Sequence, residues 1–264
     1  AIDSLLVAAG LSVIATIGSS SYVSLAILLA FMMGCILLFL GIMRAGFLVK
    51  ILTKPVISGF TSAAAIIIAA NQISNLSGIP IERNTQIQNI AVEGLNSINQ
   101  FNQPTILIGL VTVVFIGLLS KIKTKIKIPV ALITVILGII YVKWFGLNLE
   151  GVKIVGKIPS GLPSFGIPNF DNTLKLLPIA FTLAMVAFME AYSVSKALSE
   201  KHGYEIDPNQ ELRALGIANI IGSFFQAYPT TGGFSRTAVN DQAGASTPLA
   251  SLFAASLIAL TLLF

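Results

Sequence analysis

The chain has 264 residues, of which 55% are hydrophobic and only 10% are charged, with a formal net charge of +5 and a mean hydropathy of +0.88. Soluble domains carry about 25% charged residues, so this composition excludes both an ordinary soluble domain and a disordered chain. The excess of Lys and Arg is typical of cytoplasmic membrane loops and does not indicate nucleic-acid binding, so we expect an integral protein of the lipid bilayer.

Eight apolar runs approach the length of a membrane span, which needs roughly 20 residues at 1.5 Å per residue. In chain order they lie at 4–17, 22–43, 55–78, 104–120, 128–146, 176–199, 209–227 and 248–264. A ninth stretch, 233–246, is too polar and too small to cross alone. Of the two long linkers, 79–103 and 147–172, the second contains IPSGLPSFGIPNF, where repeated Pro and Gly exclude a helix.

Basic residues in the loops predict the orientation. Ten lie on one side of the predicted spans: Arg44, Lys50, Lys54, Lys121, Lys123, Lys125, Lys127, Lys196, Lys201 and Arg213. Five lie on the other side: Arg83, Lys143, Lys153, Lys157 and Lys175. The positive-inside rule therefore places the connections 44–54, 121–127 and 200–208 in the cytoplasm.

Cysteine and histidine are too scarce for metal or nucleophile chemistry. Cys35 and His202 are single residues of their kind, and the sequence has no P-loop, GxSxG or HExxH motif. We expect no cofactor, no metal ion and no enzyme activity.

Glu190 is an ionisable residue that is predicted to lie at membrane depth, since it is part of the apolar sequence LLPIAFTLAMVAFMEAYSVSKAL. An ionisable group there costs about 2.5–3.5 kcal/mol on insertion scales. Helical spacing places Glu190 on one face with Val186, Ser193 and Ala197, so its carboxyl is expected to face the bundle interior. Burial favours the neutral acid, which could take up and release a proton. The alternative is a Glu near the cytoplasmic end that a neighbouring helix satisfies.

A broken helix is predicted at 227–247, AYPTTGGFSRTAVNDQAGAST, where Pro229, Gly232 and Gly233 precede a short helix that starts near Phe234. A discontinuous helix at membrane depth must be buried or line a cavity, and its N-terminal amides attract anions. Ser235 adds a hydroxyl donor and Arg236 a positive charge, which opposes the helix dipole unless an anion sits nearby. The alternative is a loop with an interfacial Arg whose charge reaches the water.

Three further polar residues lie in apolar helices: Asn71, Gln72 and Asn219. Small residues accompany them, as in GFTSAAAIIIAA (59–70) and ALGIANIIGS (214–223). We interpret both features as close helix packing with interhelical hydrogen bonds.

The stretch 180–250 resembles the SulP family of sulfate permeases and related anion exchangers. SLLV at 4–7, RAGFLVKILTKPVISGFTSAAAI at 44–66 and VGKIPSGLPSF at 155–165 agree with it. The resemblance implies an all-α, polytopic membrane protein with a UraA-like transport fold of two inverted seven-segment repeats, broken half-helices and short extended pieces before them. By that register, 1–264 is a partial transmembrane domain covering segments three to eleven of fourteen. By the same register we expect the first two segments, the last three and any STAS domain to lie outside residues 1–264.

The resemblance also implies roles for particular residues. The anion lies between the facing N-termini of the third and tenth segments, to which Gly233, Phe234, Ser235 and Arg236 correspond on the tenth-segment side. Phe234 lines the apolar wall of that site or packs in the core. Glu190 corresponds to a proton-coupling acid.

The expected function is secondary active anion transport: proton-coupled sulfate uptake, or sulfate/anion exchange, by alternating access. A multi-pass homodimer in the bacterial inner (plasma) membrane is expected. The alternatives are a transporter or channel for bicarbonate or another inorganic anion, and a nucleobase permease of the same fold.

Overall fold

The computed structural model describes residues 2–12, 14–16, 19–47, 54–79, 81, 86–119, 130–156 and 160–263. Across these ranges the regular structure is helical and no strand is formed. The α-helices are α1 (Ile2–Ser12), α2 (Ser20–Ile42), α3 (Lys54–Asn71), α4 (Ile73–Ser77), α5 (Ile87–Asn96), α6 (Gln103–Leu119), α7 (Val130–Trp144), α8 (Thr173–His202), α9 (Pro208–Phe224), α10 (Phe234–Gln242) and α11 (Leu249–Leu263). Short 3₁₀ turns include Ile98–Gln100 and Leu147–Glu150.

Every predicted apolar run contains a helix, and α10 occupies the short polar stretch. By length and composition α2 and α8 can cross a membrane, whereas α6, α7 and α11 are apolar but shorter than 18 residues. The predicted run 4–17 is helical only to Ser12, and Ser19 caps the next helix by accepting a hydrogen bond from the Tyr22 amide at 3.2 Å. The run KIKTKIK, 121–127, lies outside the described residues.

The linker 79–103 contains a helix that the sequence analysis did not predict. Helix α5 buries Ile90 in a small cluster with Ile79 and Ile81. The segment is too polar and too short to be found by a search for membrane spans, which looks for long hydrophobic runs. Its apolar residues nevertheless follow a helical period.

The chain divides into two compact units, and the first comprises residues 1–65 and 163–237. In this unit α2 packs against α8 and α9, and α1 packs against α2 and α8. Burial of large aliphatic side chains stabilises this bundle, most of all Leu11, Leu28, Leu29, Leu37, Leu176 and Leu212, which are fully buried.

Glycines allow the backbones of α2 and α9 to touch. A Cβ on Gly216 would lie 2.6 Å from the Leu38 nitrogen, and one on Gly34 would lie 2.8 Å from the Gly216 oxygen. The predicted close packing of 214–223 is therefore confirmed. For 59–70 close packing stays a prediction; a Cβ on Gly59 would meet none of the described atoms within 4 Å.

The segment 160–172 is non-helical, as its Pro and Gly content predicts. Its Gly166 amide donates to the Phe224 carbonyl at 2.8 Å, and the Phe165 ring stacks on the ring of Phe224. Phe31 of α2 completes this cluster through edge-to-face contacts with Phe170 and Phe224. These contacts cover the end of α9 at which the helix breaks.

The second unit comprises residues 66–162 and 238–264. Here α4 packs against α6, and α6 packs against α7. Asn102 organises the turn before α6. Its backbone N–H donates to the Ser77 carbonyl at 3.0 Å, and its side-chain Nδ2 donates to the Glu150 carbonyl at 2.7 Å. The Gly161 amide donates to the Leu262 carbonyl of α11 at 2.7 Å.

Candidate functional site

The chain breaks between α9 and α10, as predicted. Helix α9 ends with the Ala227 amide donating to the Gly222 carbonyl at 2.9 Å, while Gln226 has φ 60°, in the left-handed region that favours Gly. Residues 227–233 then run without helical structure to Phe234. The Gln226 side chain donates to the Ser164 hydroxyl at 2.7 Å, which joins this turn to the 160–172 segment.

Asn219 of α9 fixes the middle of the 227–233 segment. Its amide nitrogen donates to the carbonyls of Leu215 and Thr230, both at 2.9 Å, and its side-chain oxygen accepts from the Thr230 amide at 2.8 Å. Asn219 is only 2% exposed. The side chain thus replaces the hydrogen bonds that a helix would have given Thr230.

Helix α8 holds the same segment from a second direction. The Thr231 hydroxyl donates to the Ala187 carbonyl at 2.8 Å, and a Cβ on Gly232 would lie 2.9 Å from the Ala191 Cα. Glycine at 232 therefore lets the segment lie directly on the α8 backbone. Glu190 lies on α8 between these two contacts, so the broken segment passes beside it.

Helix α10 begins at Phe234, where its first backbone bond runs from the Thr237 amide to the Gly233 carbonyl at 3.0 Å. A Cβ on Gly233 would lie 3.1 Å from Arg236 Nε and 3.3 Å from Nη2, so the guanidinium folds back over the start of its own helix. Phe234 is half-buried, whereas Ser235 and Arg236 are exposed within the described chain.

This helix start is electropositive. The first amides of a helix have no intrahelical acceptor and carry the positive end of its dipole. Arg236 adds a full charge at the same place, an unfavourable arrangement that an anion would relieve. The geometry can therefore hold an anion between backbone N–H groups and a guanidinium.

Glu190 is 2% exposed, and Ser193 on the same face is also buried. The predicted interior orientation of Glu190 is confirmed. Burial along this face is less uniform than predicted, because Val186 is half-buried and Ala197 is exposed.

The three polar residues assigned to helix packing have different roles. Asn71 donates to the Ile67 carbonyl of its own helix at 2.8 Å, and Gln72 lies at the break between α3 and α4. Asn219 was underestimated, since it anchors the broken segment. The signal available in the sequence was an Asn eleven residues before the first Thr of TTGG (230–233), which is too weak to assign a role without the tertiary structure.

A chain of apolar helices with a break between α9 and α10, whose broken segment contacts α8 on both sides of the buried Glu190 along the helix, is typical of one class of membrane protein: transporters with substrate sites at broken helices. The chain belongs to the sulfate permease family, whose family model matches residues 1–264. The predicted family and all-α fold are confirmed, and the relatives that the chain matches are named as transporters, not as enzymes.

Two relatives show the range of the family. The chain is 38% identical over 271 residues to "Sulfate transporter 4.1, chloroplastic" of Arabidopsis thaliana, covering 100% of this chain and 39% of the relative. It is 34% identical over 272 residues to the "Sodium-independent sulfate anion transporter" of Bos taurus, covering 90% of this chain and 45% of the relative. The chain thus spans less than half the length of these curated relatives.

Two solved structures share the fold. Murine solute carrier 26 family member A9, an anion transporter in the inward-facing state, matches 99% of this chain and 47% of its own with a TM-score of 0.80 and 25% identity. The transmembrane domain of the cyanobacterial bicarbonate transporter BicA matches 99% of this chain and 66% of its own with a TM-score of 0.74 and 24% identity. The second likeness concerns the fold alone.

Proposed function

We propose that this chain forms the anion-binding part of a secondary active transporter that takes up sulfate together with protons. One observation carries the proposal: the segment that leads into α10, at whose start Arg236 folds over Gly233, is held by hydrogen bonds to both α8 and α9. A helix start that is fixed from two sides is preorganised for an anion, so little ordering is needed on binding. The sulfate transporters among the relatives support sulfate as the substrate.

In this proposal the backbone amides near Gly233, Phe234 and Ser235 donate to the anion, and the Ser235 hydroxyl adds a donor. Arg236 supplies the charge that a divalent anion requires. The ring of Phe234 provides the apolar wall. A nucleobase permease, whose substrates are neutral, would have no use for Arg236 at this helix start.

Glu190 is the proposed proton acceptor. Its protonation removes a negative charge beside the broken segment, so the proton and the anion each favour binding of the other. The buried position beside the Thr231 and Gly232 contacts supports this coupling.

The remaining proposals concern the whole protein. Residues 1–264 are proposed to be segments three to eleven of a fourteen-segment domain that alternates between two orientations, within a homodimer. The proposed location is the bacterial inner membrane. The chloroplast protein among the relatives makes a plastid membrane the alternative.

The test is uptake of radiolabelled sulfate by the full-length protein in proteoliposomes, with and without an inward proton gradient. Saturable uptake that the gradient accelerates is expected, with competition by unlabelled sulfate but not by uracil. Competition by bicarbonate with no effect of sulfate would reassign the substrate. Flux that does not saturate would indicate a channel.

Arg236→Ala is expected to raise the KM for sulfate at least about tenfold, because a charge-assisted contact contributes roughly 1.5–3 kcal/mol. Arg236→Lys keeps the charge but not the planar fork, so an intermediate KM is expected. A KM equal to that of the wild type in Arg236→Ala would leave this residue as an interfacial anchor.

Glu190→Gln imitates the protonated acid. We expect this variant to lose the acceleration by a proton gradient while it retains exchange of sulfate for sulfate. Glu200→Gln is the matched control, since Glu200 lies on the same helix but is exposed and pairs with Lys196 at 3.7 Å. Unchanged dependence on the gradient in Glu190→Gln would remove Glu190 from the coupling mechanism.

A further inference from the structure

A second basic pocket lies far along α9 from the broken helix, where α9 begins and α2 ends. It has a volume of about 530 Å³ and is lined by Gly41, Ile42, Arg44, Asp207, Asn209 and Arg213. The anion site described above uses none of these residues. All of them belong to the first compact unit.

Packing of α2 on α9 fixes the floor of this pocket. The Asn209 side chain accepts from the Gly46 amide at 2.8 Å, and a Cβ on Gly41 would lie 2.7 Å from Arg213 Cγ. The connection after α2 and the start of α9 therefore lie at the same end of the unit. The charge pattern of the loops assigns this end to the cytoplasm.

The charges in the pocket leave an excess of positive potential. Asp207 caps α9 by accepting from the Asn209 amide at 2.9 Å, and its second oxygen lies 3.7 Å from Arg213 Nη2. Arg213 Nε donates to the Asn209 carbonyl at 3.1 Å, which leaves further guanidinium N–H groups for a ligand. Among the described residues, no acidic group forms an ion pair with Arg44.

The backbone at Arg44 is unusual, because its φ is 55°, in the left-handed region that Gly or Asn adopts most easily. This conformation follows the end of α2 at Ile42 and turns the chain across the start of α9. An Arg at a position suited to Gly indicates that the side chain is used there.

The pocket lies at the membrane boundary. Helix α2 is an uncharged span of 23 residues, and Arg44 follows its end by two positions. Large apolar side chains near this end are exposed, namely Phe39, Ile42, Met43 and Phe47. A basic pocket beside exposed apolar residues matches a phospholipid, whose phosphate lies just outside the hydrocarbon that contains its acyl chains.

We propose that this pocket binds the phosphate group of an anionic phospholipid of the cytoplasmic leaflet, between Arg44 and Arg213. The acyl chains pack against the exposed apolar residues at the end of α2. The net charge of the two arginines and Asp207 is positive, so an anionic lipid is preferred over a zwitterionic one. The site is independent of the proposed transport function.

The test is native mass spectrometry of the full-length protein from detergent micelles that contain equal amounts of phosphatidylglycerol and phosphatidylcholine. The wild type is expected to retain phosphatidylglycerol preferentially. Arg44→Asn and Arg213→Gln are each expected to lower the ratio of retained phosphatidylglycerol to phosphatidylcholine about fivefold, the effect of one basic group at an anionic surface. Asn suits the left-handed backbone at position 44, so this variant removes the guanidinium and its charge without adding backbone strain.

Lys196→Gln is the matched control. Lys196 is a basic residue near the C-terminal end of α8, and it does not line the pocket. An equal loss in Lys196→Gln would indicate diffuse electrostatic attraction and overturn the site. Unchanged lipid retention in Arg44→Asn would also overturn it, as would a pocket already filled by an acidic part of the protein. If Arg213→Gln fails to fold, a comparison of Arg44→Asn with Arg44→Lys tests the site instead. The lysine variant keeps the positive charge and is therefore expected to retain more phosphatidylglycerol than the asparagine variant.

A soluble anion is the other source of a phosphate-like group. Millimolar inorganic phosphate is expected to displace no more phosphatidylglycerol from the pocket than chloride does at the same ionic strength. Displacement by inorganic phosphate alone would assign the pocket to a soluble anion and overturn the lipid assignment.

Discussion

At the scale of single residues, Asn219 determines the path of the broken segment. Its one side chain satisfies both the N–H and the C=O of Thr230, neither of which has a helical partner. Glu190 depends on the same arrangement, since the segment that Asn219 positions lies across α8 beside it. A buried amide of α9 thus connects the helix start proposed to bind the anion with the proposed proton acceptor.

Asn219→Leu is expected to destabilise the full-length protein, because the N–H and C=O of Thr230 each lose a hydrogen bond that contributes about 0.5–1.5 kcal/mol. The KM for sulfate should rise at the same time, since the start of α10 is no longer fixed. Thermal unfolding in detergent and proteoliposome uptake measure the two effects.

The control for Asn219→Leu is Thr182→Val, which removes an exposed hydroxyl bonded only locally to the Pro178 carbonyl at 2.9 Å. Little change in either property is expected of it. If Asn219→Leu kept the wild-type KM, the hydrogen bonds to Thr230 would not position the anion site.

At the scale of helices, contact between the backbones of α2 and α9 makes the unit rigid. Gly34, Gly41 and Gly216 provide this contact along the second half of α2. Because α9 also carries Asn219, the position of the broken segment depends on how closely α9 packs against α2.

Gly216→Ala is expected to lower the thermal stability of the full-length protein by about 1–3 kcal/mol, the usual cost of overpacking, because the new Cβ meets the backbone of Leu38. Gly138→Ala in α7 is the control, since a Cβ there meets no described atom within 4 Å. That variant should be neutral or more stable, as Ala favours a helix. A neutral Gly216→Ala would show that α9 can shift away from α2 without cost.

At the scale of the whole molecule, orientation in the membrane follows from the ends of the first unit. The α2 end and the α9 start lie together, and the 160–172 segment covers the opposite end of α9. Tyr204 and Pro163 are exposed residues near these two ends.

Cysteine labelling tests the orientation. In a Cys35→Ser background, Tyr204→Cys should react with a membrane-impermeant maleimide only in inside-out vesicles, and Pro163→Cys only from the outside of intact cells. The reverse pattern would contradict the positive-inside assignment and place the lipid pocket in the other leaflet.

The sequence by itself determined the membrane class, the positions of the helices, the break before α10 and the burial of Glu190. These features follow from local composition: hydrophobic runs, Pro and Gly at the break, and a single acid on an apolar helical face. The sequence did not predict the amphipathic helix α5, because its residues are too polar to meet a hydrophobicity criterion for membrane spans.

Only the tertiary structure decided which side chains hold the broken segment and which charges meet where α2 ends and α9 begins. Asn219 and Thr230 are eleven residues apart, Gly46 and Asn209 are 163 apart, and Thr231 and Ala187 are 44 apart. Such pairs form because close helix packing leaves buried backbone groups that must find partners, and a sequence does not specify which distant side chain will supply them.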